Sequence, residues 1–502
     1  MASLKQLAGQ TIWYGVSNIA AKLLNQLLTP IITYILNNPS GMVAYGDLTM
    51  LYSFIALVNV LYTYGLETAY FRFASKGTDK TGLFNTTFSS LLMSTLAFSA
   101  LLIWLREPIA DYIELGGHSE YVTLCVLIIA IDTLAAIPFA RLRQEGRPRK
   151  YAIVRVAGII VNIVLTVYLM AYCPNQVAAH PETEFAKWYT GNSPVGFLLW
   201  ANLGQAFITF LLLFKEWSGY RMRFDTALWK QIFKYSWPMV IVGMGGMVNE
   251  TVDRIMLGKL YIGTPEQQKI AVGIYSANYK IAIFISLFIQ AFKMSAEPFF
   301  FSRSADRNAA TTYARVMKWF VITLCCAFLF TALYIDLWKY FIGSQYREGL
   351  GVVPILLAAN VALGIYYNLA VWYKITDRMY MGMIITIVGA VLTLTLNYIF
   401  IPIYGMYACA WTTLAAYTIM MVVCYVMGQH YFPVNYQVGR LGRYIGLMLL
   451  FFGIQWGVMH FTAVLPLRLA SATVLMLAFV GIVLRTEKDE LAAMPVIGRW
   501  LR

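Results

Sequence analysis

Apolar runs of about twenty residues recur along the whole chain, separated by short polar stretches that carry most of its charge. That is the length an α-helix needs to cross a hydrocarbon core about 30 Å thick. The pattern predicts fourteen spans, at 11–36, 44–66, 83–105, 119–140, 151–172, 195–214, 236–258, 272–294, 314–335, 351–373, 380–402, 404–427, 442–462 and 464–484. The first run is too long for the core of a cleaved signal and is kept as a span. Segments of alternating polarity about ten residues long, the mark of a membrane barrel, are absent. The expected fold class is therefore an all-α integral membrane protein without a soluble domain.

Several spans carry a polar stripe at helical spacing. Span one has Thr11, Gly15, Asn18, Lys22, Asn25 and Thr29 on one face, and span two has Thr49, Tyr52, Asn59, Thr63 and Glu67. Span seven aligns Gly243, Gly246, Glu250 and Asp253, flanked by Asn249 and Arg254, and span eight aligns Gly273, Ala277, Lys280 and Phe284. Milder stripes on spans five, ten and eleven include Gly158, Asn162, Asn360, Gly364, Gly389, Thr393 and Asn397. Lipid offers no hydrogen-bond partner, so such faces must meet protein or water. For spans five, ten and eleven, close helix packing through small residues accounts for the stripe. A lysine at membrane depth costs about 2.5–3.5 kcal/mol on insertion scales, so Lys22 and Lys280 need a partner or a purpose. Two readings stand for these charges: a shared wet, cationic chamber, or mutual ion pairs such as Lys22 with Asp253. Snorkelling to the interface remains a third reading for Lys280.

Composition agrees with the pattern: 60% of the 502 residues are hydrophobic and 12% charged, with mean hydropathy +0.64. The net charge of +14 is unevenly placed. Arg141, Arg143, Arg147, Arg149 and Lys150 share one loop, and alternate loops hold more than threefold more basic residues than the others. This bias puts both termini in the cytoplasm and removes the need for a nucleic-acid partner. Six cysteines lie mostly within spans and imply no disulfide framework, and four scattered histidines have no metal-ligand spacing.

A shift of 231 residues superimposes Gly15 on Gly246, Asn18 on Asn249, Lys22 on Asp253, Arg147 on Arg378 and Gly158 on Gly389. Six spans separate the copies, so the repeats share one membrane orientation, and a path between them is expected. The expected organisation is an N-lobe at 1–219, a basic and aromatic interfacial linker at 220–235, a C-lobe at 236–430, and two further helices with a tail at 431–502.

The text "YSWPMVIVGMGGMVNETVDRIMLG" followed by "VGIYSANYKIAIFISLFIQAFKMSAEPFFF" resembles the polysaccharide repeat-unit (Wzx-type) flippases of the multidrug/oligosaccharidyl-lipid/polysaccharide (MOP) exporter superfamily. "YGDLTMLYSF", "YGLETAYFRF" and "RQEGRPRKYAIV" resemble the same family. The resemblance implies a V-shaped, two-lobe transporter in the bacterial cytoplasmic membrane, acting as a monomer without a cofactor. It would move an undecaprenyl-diphosphate-linked oligosaccharide from the inner to the outer leaflet by alternating access. It further implies that Lys22 and Lys280 hold the diphosphate; the polar faces of spans one, two and seven add Arg254, Asn18, Asn25 and Asn59 as candidate cavity ligands. Span two departs from the family, lacking a basic residue before Arg72. Glu250 and Asp253 are candidates for coupling to a proton or sodium ion, or for pairing with Arg254 or Lys22. Rival expectations are a cation-coupled drug antiporter of the same superfamily, a membrane enzyme such as a glycan polymerase or ligase, and a scaffold without transport activity.

Overall fold

The computed structural model describes residues 20–75, 79–303, 309–376 and 378–492. Among the described residues the regular structure is helical, and a helix stands at each of the fourteen expected positions. Eleven are long and apolar enough to cross a bilayer, or twelve when the bent pair Pro265–Ala282 and Phe284–Lys293 counts as one. Span seven falls outside that number because of its polar residues and is held by the 35-residue helix Thr226–Leu260. Of span one, residues 20–36 are described, with Leu28–Ile35 as its last helical stretch.

Local chemistry sets the helix ends. Asn38 precedes Pro39 and accepts a hydrogen bond from the Gly41 amide at 2.7 Å, satisfying a donor that the first helical turn leaves open. Asp79 caps Lys80–Trp104 in the same way, accepting from Thr81 and Gly82 at 3.0 and 2.9 Å. The Pro39–Thr63 helix stops at Tyr64 and Gly65, both with positive φ. Glycine is required at 65 for a second reason: a Cβ there would stand 2.9 Å from the Cβ of Met239.

Residues 220–235 do not form a separate interfacial helix. Asp225 accepts from the Leu228 amide at 3.0 Å and starts a helix that runs through Pro238 into span seven. The segment before it is pinned to the Lys80–Trp104 helix. The Tyr220 hydroxyl lies 2.8 Å from Ser89 Oγ, and the amides of Arg221 and Asp225 donate to Asn85 and Thr86. Span eight is broken by 48° at Ile283. There the Ser286 hydroxyl donates to the Ile283 carbonyl at 2.6 Å, a side chain entering the backbone ladder as expected at a kink.

The described chain divides into two compact units, Met1–Ala277 with Thr386–Thr412, and Asn278–Ile385 with Thr413–Arg502. In the first, Pro39–Thr63 lies antiparallel along Thr226–Leu260: Gly258 faces Met50, Gly243 faces Val60, and Gly65 faces Met239. The span-five stripe is packing, as expected. Asn162 donates to Asn202 and Gln205 at 3.2 and 2.9 Å, and Gly158 fits beneath Thr209, which a Cβ would meet at 2.4 Å. In the second unit, Phe300, Tyr313, Val371 and Val434 form a core cluster. A buried ion network ties span nine to the last two spans: Lys318 meets Glu487 and Glu490 at 2.5 and 2.6 Å, and Glu487 also receives Arg440 and Tyr444.

Candidate functional site

Lys22, Asn25, Asn59 and Glu250 are exposed although each lies within a span helix, and all four belong to the first unit. Asn18 lies outside the described residues. Asp253, one turn beyond Glu250, is buried with both carboxylate oxygens engaged. Oδ1 accepts from the Arg254 amide at 2.9 Å and its guanidinium at 3.3 Å, and Oδ2 accepts from the Tyr275 hydroxyl at 2.5 Å. The pairing of Asp253 with Arg254, one of the two open readings, is thus present. The same guanidinium donates to the Glu250 carbonyl at 2.8 Å and lies 5.9 Å from the Tyr275 ring centre. Lys280 is half-buried in the last turn before the break at Ile283, in the second unit. A cation at a helix C-terminus is favoured by the helix dipole.

Asn249 accepts from Thr393 at 3.0 Å and donates to the Thr386 carbonyl at 3.4 Å, so spans seven and eleven run side by side. Asn397 follows Thr393 by one turn of the same helix. It is fully buried, and neither amide atom has a hydrogen-bond partner among the described residues. Among the described residues, no group of three or more His, Cys, Asp or Glu side chains is placed to hold a metal ion.

Two carboxylates at the far end of the first unit escaped sequence reasoning. Lys269 lies 2.9 Å from Asp47 and donates to the Glu114 carbonyl at 2.7 Å, while Lys259 reaches the Glu114 carboxylate at 2.5 Å. Glu114 has φ +57°, a left-handed conformation that costs a non-glycine residue about 1 kcal/mol. Beside these pairs, spans two and eight touch backbone to backbone. A Cβ on Gly46 would lie 2.0 Å from the Lys269 carbonyl oxygen, and one on Gly273 would lie 2.7 Å from that of Met42. Lys259 and Lys269 read in the sequence as loop charges, and their partners gave no periodic signal. Asp132 was also missed. It is an exposed carboxylate in the middle of Ser119–Gln144, within electrostatic reach of Arg155, whose guanidinium lies over Phe139 at 4.8 Å.

The family model for polysaccharide biosynthesis proteins matches residues 7–304, more than half of the chain. The chain belongs to the polysaccharide biosynthesis protein family. Membership upholds the resemblance read from spans two, seven and eight. Sequence comparison with curated proteins finds no match. Among solved structures, the fold of this family member is similar to the lipid II flippase MurJ in an inward closed conformation. The TM-score is 0.72 at 14% identity, over 95% of this chain and 99% of that one. It is also similar to a MATE protein in the straight conformation, with TM-score 0.58, 14% identity, and coverage of 88% and 97%. An outward-facing multidrug resistance MATE family transporter of the MOP superfamily gives 0.59, 14%, 84% and 95%. At these identities the likeness establishes the fold, that of a multi-pass helical membrane protein.

Proposed function

We propose that this protein is a flippase carrying a polyprenyl-diphosphate-linked oligosaccharide from the inner to the outer leaflet of a bacterial cytoplasmic membrane. The observation that carries this reading is the exposure of Lys22, Asn25, Asn59 and Glu250 at membrane depth on one unit. Such groups face water, a polar cargo or other polar protein groups there, never lipid alone. Membership of the polysaccharide biosynthesis family, and a fold shared with a lipid II flippase, support the cargo class.

In this reading the repeats at 1–219 and 236–430 rock about a central path, with 220–235 joining them and both termini cytoplasmic. Lys22 and Lys280 meet the diphosphate as point charges and Arg254 as a planar fork, while Asn18, Asn25 and Asn59 bond phosphate and sugar oxygens. Flipping breaks no covalent bond, so the site needs no nucleophile. The pairs Lys269–Asp47 and Lys259–Glu114, with the Gly46–Gly273 contact, shut the outer end. Glu250 and Asp253 are the candidates for coupling to a sodium ion or proton, Asp253 on release of its hydrogen bonds from Arg254 or Tyr275.

The test is transport in proteoliposomes loaded with a lipid-linked oligosaccharide, scored by leaflet-selective enzymatic trimming of the glycan. Protein-dependent transfer that Lys22→Ala abolishes is expected. Proton-driven export of organic cations with no glycan transfer would replace this reading with the drug-antiporter one.

A further inference from the structure

A groove of about 520 Å³ opens between the Lys80–Trp104 and Thr226–Leu260 helices beside the end of Pro39–Thr63, wholly within the first unit. Its walls are apolar, including Leu61, Met93, Phe98, Phe233, Trp237 and Val240. The polar atoms on its floor bond to one another. Trp229 Nε1 donates to Ser90 Oγ at 2.8 Å, Ser90 Oγ lies 2.6 Å from the Tyr64 hydroxyl, and Ser94 donates to that hydroxyl at 3.4 Å. The Trp229 indole thus turns its only donor inward and stacks on Phe233 at 5.1 Å. The groove therefore suits an alkyl chain better than a sugar or a phosphate.

Its mouth has the opposite character. Arg221, Arg223, Lys230 and Lys234 are all exposed and stand within three residues of the lining residues Phe224, Trp229 and Phe233. Trp229, Phe233 and Trp237 follow one another at one-turn spacing, and Lys230 and Lys234 stand one residue on from the first two. The hydrogen bonds from Arg221 and Asp225 to Asn85 and Thr86 hold the arginine-bearing segment against the groove. Asn85 and Thr86, which hold that segment, precede Ser90 by five and four residues, about 6–8 Å along the helix. An anionic headgroup at the mouth would thus lie one chain's reach from the floor.

We propose that this groove binds one acyl chain of an anionic membrane phospholipid, with Arg221, Arg223, Lys230 and Lys234 holding the headgroup. The site would be a resident-lipid site, separate from the charged residues assigned to cargo. A groove of about 520 Å³ has room for a single fatty-acyl chain.

The test uses the full-length protein in nanodiscs of phosphatidylcholine, titrated with phosphatidylglycerol brominated on its acyl chains. The tryptophan signal lost on comparing the protein with its Trp237→Phe variant isolates the groove. Brominated phosphatidylglycerol is expected to quench it at a small mole fraction, where brominated phosphatidylcholine does not. Lys230→Ala with Lys234→Ala should weaken that preference about thirtyfold, taking each basic residue near an anionic lipid at about fivefold. Met93→Phe, which narrows the wall and keeps every charge, should reduce the phosphatidylglycerol retained in native mass spectrometry. Equal quenching by the two lipids would overturn the proposal. So would displacement of phosphatidylglycerol by polyprenyl phosphate, which would give the groove to the cargo tail. Neither outcome bears on glycan transfer, which Lys22 tests separately.

Discussion

Asp253 joins two helices through the Tyr275 hydroxyl at 2.5 Å while its other oxygen holds Arg254. A hydrogen bond to a charged group contributes about 1.5–3 kcal/mol. Tyr275→Phe should therefore lower the stability of the purified protein by that order in a thermal-shift assay and leave the Asp253 carboxylate in place. Asp253→Asn should do more, uncoupling transport from the ion gradient; transport still fully responsive to that gradient would end the coupling assignment. Lys22→Ala should abolish glycan export while Lys22→Arg keeps part of it, since the side chain acts by its charge; equal export by the two variants would refute this. Lys22, Asn59 and Glu250 were legible because a polar stripe at helical spacing is a signal within an apolar run. Asp47 and Glu114 were not, because a carboxylate near a helix end resembles any loop charge until its lysine is placed beside it.

Spans two and eight meet where neither has a side chain to interpose. A Cβ added at Gly46 would stand 2.0 Å from a backbone oxygen, and no change of rotamer relieves such an overlap. Gly46→Leu should hold the helices apart, raise labelling of nearby cysteines by an impermeant thiol reagent from outside, and stop transport. Unchanged labelling would show that the contact is not a closure. The adjoining Lys269–Asp47 pair should contribute about 1 kcal/mol in a double-mutant cycle, with the swap Asp47→Lys and Lys269→Asp recovering what either single change loses. Helix positions were readable because apolar run length fixes them. Span seven was expected from residue 236, yet the Asp225 cap and the aromatic packing of Trp229 and Phe233 start the helix ten residues earlier and carry it through Pro238. The break at Ile283 had no proline or glycine to announce it; a serine hydroxyl produces it.

For the molecule, the last two spans are fastened, at the end where the tail leaves them, by the Lys318–Glu487–Glu490 network. Burial acts to raise the Glu490 carboxyl, but the hydrogen bond and charge of Lys318, with Trp319 and Arg315, outweigh it and hold the group below the usual carboxylate range. A carboxyl depressed in the folded state stabilises above its unfolded value, about pH 4.3, and that contribution is lost as pH falls through the folded value. The melting temperature of the protein should therefore exceed that of Glu490→Gln at neutral pH and converge with it in acid. A gap that stays constant down to low pH would assign the effect to packing. Helix positions and basic-loop bias could be taken from run length and charge alone, whereas this fastening joins residues 169 and 172 positions apart, a separation that no periodicity reveals.

The helix Thr226–Leu260 has a consequence at this scale too. Thirty-five residues make a rod about 52 Å long, against a hydrocarbon layer of about 30 Å. Roughly two-fifths of it must project or lean, so bilayer thickness sets how much of its aromatic girdle is submerged. A thinner host membrane would bare Trp229 and a thicker one would draw it under, making the transporter sensitive to the acyl-chain length of the cell that houses it.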